Sequence, residues 1–268
     1  MVSQYLFSFL ISAALLYDVW GTAWNSAMAL IGMAVGISNV TLMLLMSLAL
    51  KSGPASPTFA FQNASSVFPG LILFLVFGPA FGCSFSMAQL FGLVLVIVGL
   101  LFAARGNQNV QQQFSINKKW LFYALGCFLV QMSALTLMQW RCLLYASDIP
   151  MHPLIFTRVT ESDDLWFMIG FFGSAFLLQL ILLINQKTPV QKQELVYGSF
   201  GGLANGASTY FLLLATKFAL PLEKGILFPC FAVCVIVLCS LWARFLYKER
   251  FNVLSNSFCS FGILVGTL

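Results

Sequence analysis

Long apolar runs separated by short polar connectors make up almost the whole chain. The runs are about 17–28 residues long and cover 2–17, 27–50, 57–77, 86–103, 118–145, 164–184, 194–218, 221–245 and 252–268. About 20 apolar residues in an α-helix cross the hydrocarbon core of a bilayer, whereas barrel strands alternate over about ten. The pattern therefore predicts an all-α integral membrane protein with about nine transmembrane helices.

The scarcity of charge agrees with this prediction. Only 8% of the 268 residues are charged and 60% are hydrophobic, whereas soluble domains carry roughly 25% charged residues. So few charges cannot cover a water-exposed surface, but they suit a surface that faces lipid. Because a helix satisfies its own backbone hydrogen bonds, it is stable there. The composition leaves no room for a soluble domain of any size.

Two of the predicted helices share a spaced set of glycine, asparagine and lysine. The first set is Gly32, Gly36, Asn39 and Lys51. The same set recurs 166 residues later as Gly198, Gly202, Asn205 and Lys217. Five predicted membrane crossings separate the two helices, so they run in opposite directions. This predicts an inverted repeat, the architecture of many secondary transporters, whose substrate sites lie near the bilayer midplane.

The boundary between the predicted repeats is the most polar connector, 104–119. The first repeat then covers 1–103 with four visible helices, and the second covers 120–268 with five. A further match between the repeats pairs Phe91-Gly92 with Phe261-Gly262, after a shift of about four residues. On this count the first helix of the first repeat is expected to be missing. We expect the chain to be a shortened or fragmentary member of a ten-helix architecture.

Short motifs in the last three helices of each half carry a resemblance to a known family. In the first half they are Leu48–Ser56, Ser65–Pro69 and Gln89–Gly99. In the second half they are Phe228-Pro229, Tyr247–Arg250 and Phe261–Gly266. These motifs resemble the EamA-like ten-helix transporters of the drug/metabolite transporter superfamily. The resemblance covers most of 27–103 and 194–268, and it implies two inverted repeats without implying a substrate.

One turn carries the resemblance in only one half. Members of the family typically have a Gly-Glu-Arg-like turn before the last helix of each half, and Lys248-Glu249-Arg250 resembles it. The corresponding stretch of the first half, 77–82, has neither the Glu nor the Arg. The motif therefore matches the second half better than the first.

Polar side chains inside the apolar runs are the predicted substrate-binding groups, because each costs free energy in hydrocarbon unless it faces a partner or a cavity. They are Asn39, Gln62, Asn63, Ser66, Gln131, Arg141, Asn205 and Tyr210. The resemblance implies that their helices line a central cavity, where Arg141 would hold an anionic group of the substrate. The alternative is that the polar residues form interhelical hydrogen bonds, each of which contributes about 0.6 kcal/mol. In that case the Arg141 side chain snorkels towards the membrane surface.

Other kinds of chemistry lack the residues they need. The chain has no GxxxxGK[ST] motif for an ATP-driven pump and no HExxH, paired Asp or Ser–His set, so we expect no enzyme activity. Seven cysteines form no CxxC motif, and with a single histidine they predict no metal site and no cofactor. The basic residues are scattered between apolar runs, where they orient a membrane protein, so no nucleic-acid partner is expected.

The basic residues also suggest an orientation. Assigning connectors to alternate sides places nine Lys and Arg on one side and four on the other. The positive-inside rule then puts Met1 in the cytoplasm and Leu268 outside. Ten-helix relatives are thought to keep both termini in the cytoplasm, so two orientations stay open. The expected location is a cell membrane crossed several times, of the bacterial cytoplasmic (inner) type.

The leading functional hypothesis is a secondary transporter that moves a small polar or amphipathic metabolite by alternating access. Candidate cargoes are an amino acid, a nucleoside-like compound such as S-adenosylmethionine, or a drug-like cation. The expected partners are this small molecule and the lipid bilayer. Proton coupling, exchange and uncoupled movement all stay open, as do a monomer and a homodimer. The alternative is a non-transporting structural or assembly protein of the membrane, whose buried polar residues would tolerate apolar replacement.

Overall fold

Helices make up the secondary structure in the described part of the chain. A computed structural model describes residues 2–16, 24–53, 58–59, 62–63, 65–81, 83, 86–105, 118–144, 159, 163–186, 192–220, 223, 227–247, 257–258, 261–262 and 265. These ranges contain α-helices and 3-10 turns and no strand. The all-α part of the prediction is therefore confirmed. The ninth predicted run, 252–268, lies mostly outside the described residues.

Eight α-helices follow one another along these ranges. They are α1 (Val2–Leu16), α2 (Ser26–Ser52), α3 (Phe68–Phe77), α4 (Met87–Arg105), α5 (Lys118–Trp140), α6 (Asp164–Gln186), α7 (Lys192–Phe218) and α8 (Leu227–Tyr247). Three segments are long and apolar enough to cross a membrane by length and composition: Ser26–Ser52, Lys118–Leu144 and Asp164–Asn185. These features suit an α-helical membrane protein.

The third predicted run is broken in the structure. A single helix over 57–77 was expected, but a 3-10 turn at Ser65–Val67 precedes α3, which has only ten residues. Proline fits the first turn of a helix but not its interior, because it has no N–H to donate. Pro69 stands at the second position of α3, so the helix that contains it starts close before it.

Side-chain caps fix the beginnings of two other helices. At the start of α4, the Ser86 N–H donates to Gln89 Oε1 and the Gln89 N–H donates to Ser86 Oγ, each over 3.1 Å. This reciprocal pair is a capping box, which satisfies two donors that the first helical turn leaves without partners. At the start of α2, the Met28 N–H donates to Asn25 Oδ1 over 3.1 Å, as expected for an asparagine cap.

The chain forms two compact units, and each draws on both predicted repeats. The first unit comprises Met1–Thr41 and Leu137–Phe218, and the second comprises Leu42–Thr136 and Ala219–Leu268. Helices α2 and α5 each contribute one part of their length to either unit.

In the first unit, α1 and α7 lie side by side and run in the same direction. Ser3 Oγ donates to the Glu194 carbonyl and Ser8 Oγ donates to the Gly202 carbonyl, each over 2.9 Å. The residue numbers of the two partners rise together, which is the register of parallel helices.

Helices α2 and α6 form a second parallel pair in the same unit. Gly32 lies against the Phe167 carbonyl, and one turn later Gly36 lies against the Phe171 carbonyl. Ser174 Oγ also donates to the Met33 carbonyl over 3.3 Å. These contacts rise together along both helices, so α2 and α6 share a direction.

The α1–α7 pair runs antiparallel to the α2–α6 pair. Arg141, in the 3-10 turn after α5, contacts both Asp164 in the first turn of α6 and Thr216 in the last turn of α7. Because the start of α6 lies beside the end of α7, these two helices are antiparallel. It follows that α1 is also antiparallel to α6 and that α2 is antiparallel to α7.

In the second unit, the end of α2 packs antiparallel to α5. Ala49 packs with Trp120 and Ala124, while Leu42, further back along α2, packs with Cys127, further along α5. The indole Nε1 of Trp120 donates to Thr58 Oγ1 over 2.9 Å. This bond ties the start of the third predicted run to the start of α5.

We expect Trp120→Phe to lower the free energy of unfolding by about 1 kcal/mol, because it removes one buried hydrogen bond and keeps an aromatic ring. Thermal unfolding in detergent measures the effect. Trp24→Phe is the matched control, since Trp24 is exposed at the start of α2. Equal losses in the two variants would contradict a specific contribution from the Trp120–Thr58 bond.

Candidate functional site

The eight predicted substrate-binding residues divide equally between the units. The first unit holds Asn39, Arg141, Asn205 and Tyr210, and the second holds Gln62, Asn63, Ser66 and Gln131. Among the residues that the structure describes, no hydrogen bond joins the side chains of any two of them. The candidates form two groups. The side chains of one group bond to other parts of the protein, and those of the other group have no hydrogen bond among the described residues.

Arg141 belongs to the group whose side chains bond to other parts of the protein. Its side chain is fully buried, and it forms an ion pair with Asp164, which is 13% exposed. Its Nη2 donates to the Leu213 carbonyl and to Thr216 Oγ1, each over 3.0 Å. The Phe167 ring lies 5.0 Å from the guanidinium carbon. A buried guanidinium is costly without such partners, so this arrangement holds the 3-10 turn to the facing ends of α6 and α7.

Sequence reasoning did not single out Asp164 as the partner of Arg141. An acidic residue that opens an apolar run has an ordinary explanation as a first-turn charge favoured by the helix dipole. In the structure the same carboxylate also neutralises a buried cation. A substrate-anion role for Arg141 stays a prediction, and among the described residues Asp164 forms an ion pair with the guanidinium.

Three further candidates are bonded within the chain. The Asn39 Nδ2 donates to the Tyr5 hydroxyl over 2.9 Å, which links α2 to α1. The Asn63 Nδ2 donates to the Phe59 carbonyl over 2.9 Å, and Ser66 Oγ donates to the Asn63 carbonyl over 2.7 Å. The last two bonds are local side-chain-to-backbone bonds of the kind that Asn and Ser form near helix ends and turns.

The other four candidates are half-buried and carry polar atoms without a hydrogen bond among the described residues. They are Gln62, Gln131, Asn205 and Tyr210. A polar group removed from water without a partner costs free energy, and the cost falls when a ligand supplies the partner. Among the eight candidates, these four side chains are the ones that the described residues leave available for binding.

Gln131 lies on the packed face of α5. It follows Cys127 by four residues and Phe128 by three, so the three share one side of the helix. Cys127 packs with Leu42, and the Phe128 ring meets the Phe68 ring edge-on at 5.4 Å. The amide of Gln131 therefore continues a stripe that faces other helices of the second unit.

Asn205 lies at the edge of the face through which α7 packs on α1. It follows Gly202 by three residues and precedes Thr209 by four, and both of these are buried. The Asn205 side chain is half-buried. It thus stands beside the helix–helix contact rather than inside it.

The two glycine motifs bring helix backbones into direct contact. A Cβ added at Gly32 or Gly36 would lie closer to a carbonyl oxygen of α6 than real Cβ atoms come to any neighbour. A Cβ added at Gly202 would lie 2.5 Å from the Gln4 carbonyl oxygen of α1. Small residues permit such close approach of helices in membranes. Each motif of the predicted repeat therefore forms a helix–helix contact.

Two serines that sequence reasoning missed complete these contacts. Ser8 and Ser174 are separated by the same 166 residues as the glycine motifs. Each donates a hydrogen bond across a glycine contact to a backbone carbonyl, of Gly202 and Met33 respectively. An earlier signal existed in the sequence, because extending the 166-residue offset to α1 and α6 aligns these two serines.

A comparison with protein-family models and one with curated proteins find no match to this chain. The paired helix contacts and the half-buried polar side chains are the structural features that bear on function.

Proposed function

We propose that this chain is a secondary transporter that moves a small polar or amphipathic metabolite across a cell membrane by alternating access. Its helices form two inverted repeats of the kind found in EamA-like drug/metabolite transporters. The cargo binds to half-buried polar side chains of helices that change partners during transport. The proposal keeps an amino acid, a nucleoside-like compound and an organic cation as candidate cargoes.

The observation that carries the proposal is the way in which helices of the two repeats pack on each other in the first unit. The 166-residue offset relates α1 to α6 and α2 to α7. Helix α2 packs on α6, while α7 packs on α1, so each glycine helix packs on the helix that precedes its counterpart in the other repeat. Because α1 is antiparallel to α6 and α2 is antiparallel to α7, helices that are equivalent in the repeat run in opposite directions. Inverted repeats in transporters have this relation.

A contact in the second unit also supports an inverted repeat. A Cβ added at Gly262 would lie 2.7 Å from the Gly92 carbonyl oxygen and 3.0 Å from atoms of Val96. Gly92 and Gly262 are the matched glycines of the two repeats. Two equivalent residues touch each other when they lie close to the axis that relates the repeats.

The half-buried amides favour transport over a purely structural role. Each polar group that the helices leave without a partner costs free energy in hydrocarbon, so a protein that binds nothing at these groups gains nothing from them. A transporter needs them, because the cargo completes their hydrogen bonds. The direct backbone contacts at the glycines also allow helices to slide with little side-chain interlocking.

The test is a binding screen on the purified protein followed by uptake into proteoliposomes. Thermal unfolding in detergent is recorded against amino acids, nucleosides, S-adenosylmethionine and organic cations. A ligand that binds only the folded state stabilises it by about 2.7 kcal/mol at a hundred times its dissociation constant. We expect at least one compound to raise the unfolding temperature and to accumulate in the vesicles.

We expect Gln62→Ala to abolish the stabilisation by that compound, and Asn63→Ala to leave it unchanged. The two residues are neighbours, but only Asn63 has its amide bonded to the backbone, at the Phe59 carbonyl. The measurement is the ligand-dependent shift in unfolding temperature of each variant. A flat screen in the unmodified protein, with both variants as stable as the parent, would instead support a structural or assembly protein.

A further inference from the structure

The repeat places Asn39 and Asn205 at equivalent positions. Each follows the second glycine of its motif by three residues, so each stands on the same flank of its packed helix face. Their partners differ. The Asn39 Nδ2 donates to the Tyr5 hydroxyl over 2.9 Å, whereas the Asn205 side chain has no hydrogen bond among the described residues.

A residue on the neighbouring helix explains why Asn205 lacks the hydrogen bond that Asn39 forms. Tyr5 lies on α1, and the 166-residue offset relates it to Phe171 on α6. Both side chains are buried, with exposures of 2% and 6%. Phe171 keeps an aromatic ring at the equivalent position but has no hydroxyl to offer. At this pair of positions both helices bury an aromatic ring, and only the Tyr5 ring carries a hydroxyl.

We propose that Asn205 binds a hydroxyl group of the cargo, which supplies the hydrogen-bond partner that the Tyr5 hydroxyl supplies to Asn39. The inference rests on the proposed function, because it requires a cargo. It identifies the cargo as a small hydroxyl-bearing molecule and Asn205 as a residue that determines specificity.

The chemistry of the site favours a hydroxyl over an anionic group. The Asn39 amide donates to a neutral oxygen, and a cargo that copies this bond must present a neutral acceptor. A neutral amide does not neutralise a carboxylate, and Arg141, a buried cation among the described residues of this unit, is already paired with Asp164. A hydroxyl both donates and accepts, so it can also satisfy the amide oxygen of Asn205.

The first test needs no ligand. Phe171→Tyr adds the hydroxyl that the second repeat lacks, and we expect it to raise the unfolding temperature by about 2–4 °C, the shift that one hydrogen bond gives in a protein of this size. The same substitution in an Asn205→Leu background is expected to give no rise. Tyr5→Phe, which removes the equivalent hydroxyl from the first repeat, is the matched control and is expected to lower the temperature. An equal effect of Phe171→Tyr in both backgrounds would overturn the pairing of these positions.

The second test measures binding of matched probes by equilibrium dialysis. The pairs are L-threonine with L-valine, L-tyrosine with L-phenylalanine, and adenosine with 2′,3′-dideoxyadenosine. We expect the hydroxyl-bearing member of one pair to bind about tenfold more tightly, the effect of one net hydrogen bond to a charge-free partner. This preference should disappear in Asn205→Leu, and also in Phe171→Tyr, where the new phenol occupies the amide.

Three results would contradict the assignment of a hydroxyl to Asn205. They are equal binding within every pair, a preference that persists in Asn205→Leu, and binding of none of the probes. Uptake of any compound into proteoliposomes would leave the transport proposal intact in those cases. The two proposals therefore fail separately.

Discussion

Replacing Arg141 with leucine is expected to lower the free energy of unfolding by about 3–5 kcal/mol, the usual cost of breaking a buried ion pair by removing one partner. The guanidinium is fully buried and is shared by Asp164, the Leu213 carbonyl and Thr216. Its loss releases the 3-10 turn from the ends of α6 and α7 together. Denaturant titration of the purified protein in mixed micelles measures the change.

Two variants separate the ion pair from a general effect of losing charge. Lys51→Leu removes a cation from the exposed last turn of α2, and a surface change of this kind is expected to stay within about 0.5 kcal/mol. Combining Arg141→Leu with Asp164→Leu is expected to recover part of the loss, because an apolar pair leaves no unpaired charge. If Arg141→Leu proves as harmless as Lys51→Leu, the pair does not hold these helices.

The second large effect is expected at Gly202. Gly202→Ala should lower the free energy of unfolding by about 1–3 kcal/mol, the range for overpacking a well-filled contact. The added Cβ would lie 2.5 Å from the Gln4 carbonyl and 2.7 Å from Phe7 Cβ, so α7 has to move away from α1. Because this surface is one of those that we propose to slide, the variant should also slow uptake into proteoliposomes.

Gly206 on the same helix supplies the control. A Cβ added there would meet Ile11 at 3.6 Å, which is ordinary van der Waals contact. Gly206→Ala is therefore expected to be neutral or to stabilise α7 by up to about 1 kcal/mol, since alanine has the higher helix propensity. Equal tolerance of Gly202→Ala and Gly206→Ala would show that α1 and α7 do not approach as closely as the structure indicates.

Helix positions followed closely from the apolar pattern. The runs predicted at 164–184 and 194–218 correspond to Asp164–Gln186 and Lys192–Phe218. The pattern failed at 57–77, where apolar residues continue but Ser65, Ser66 and Pro69 shorten α3. Hydropathy reports how long a chain segment stays apolar. It does not report where local side-chain-to-backbone bonds interrupt the helical ladder.

The contacts of the candidate residues were much harder to predict. Periodicity places Asn39 on one side of α2, but its partner Tyr5 lies 34 residues away, and Arg141 reaches Leu213 across 72 residues. Such pairs depend on which helices become neighbours. The 166-residue offset was a long-range signal in the sequence, and it marked the glycine contacts and, when extended, the serines that bridge them.

Alternating access between inverted repeats requires that equivalent helices cross the membrane in opposite directions. Lys51 and Lys217 are equivalent residues in the last turns of α2 and α7. Each is replaced by cysteine in a chain whose seven native cysteines are changed to alanine or serine, and intact cells are then treated with a membrane-impermeant maleimide. We predict that one of the two cysteines reacts in intact cells and the other reacts only after permeabilisation. Reaction of both from the same side would contradict the inverted repeat and, with it, the proposed transport mechanism.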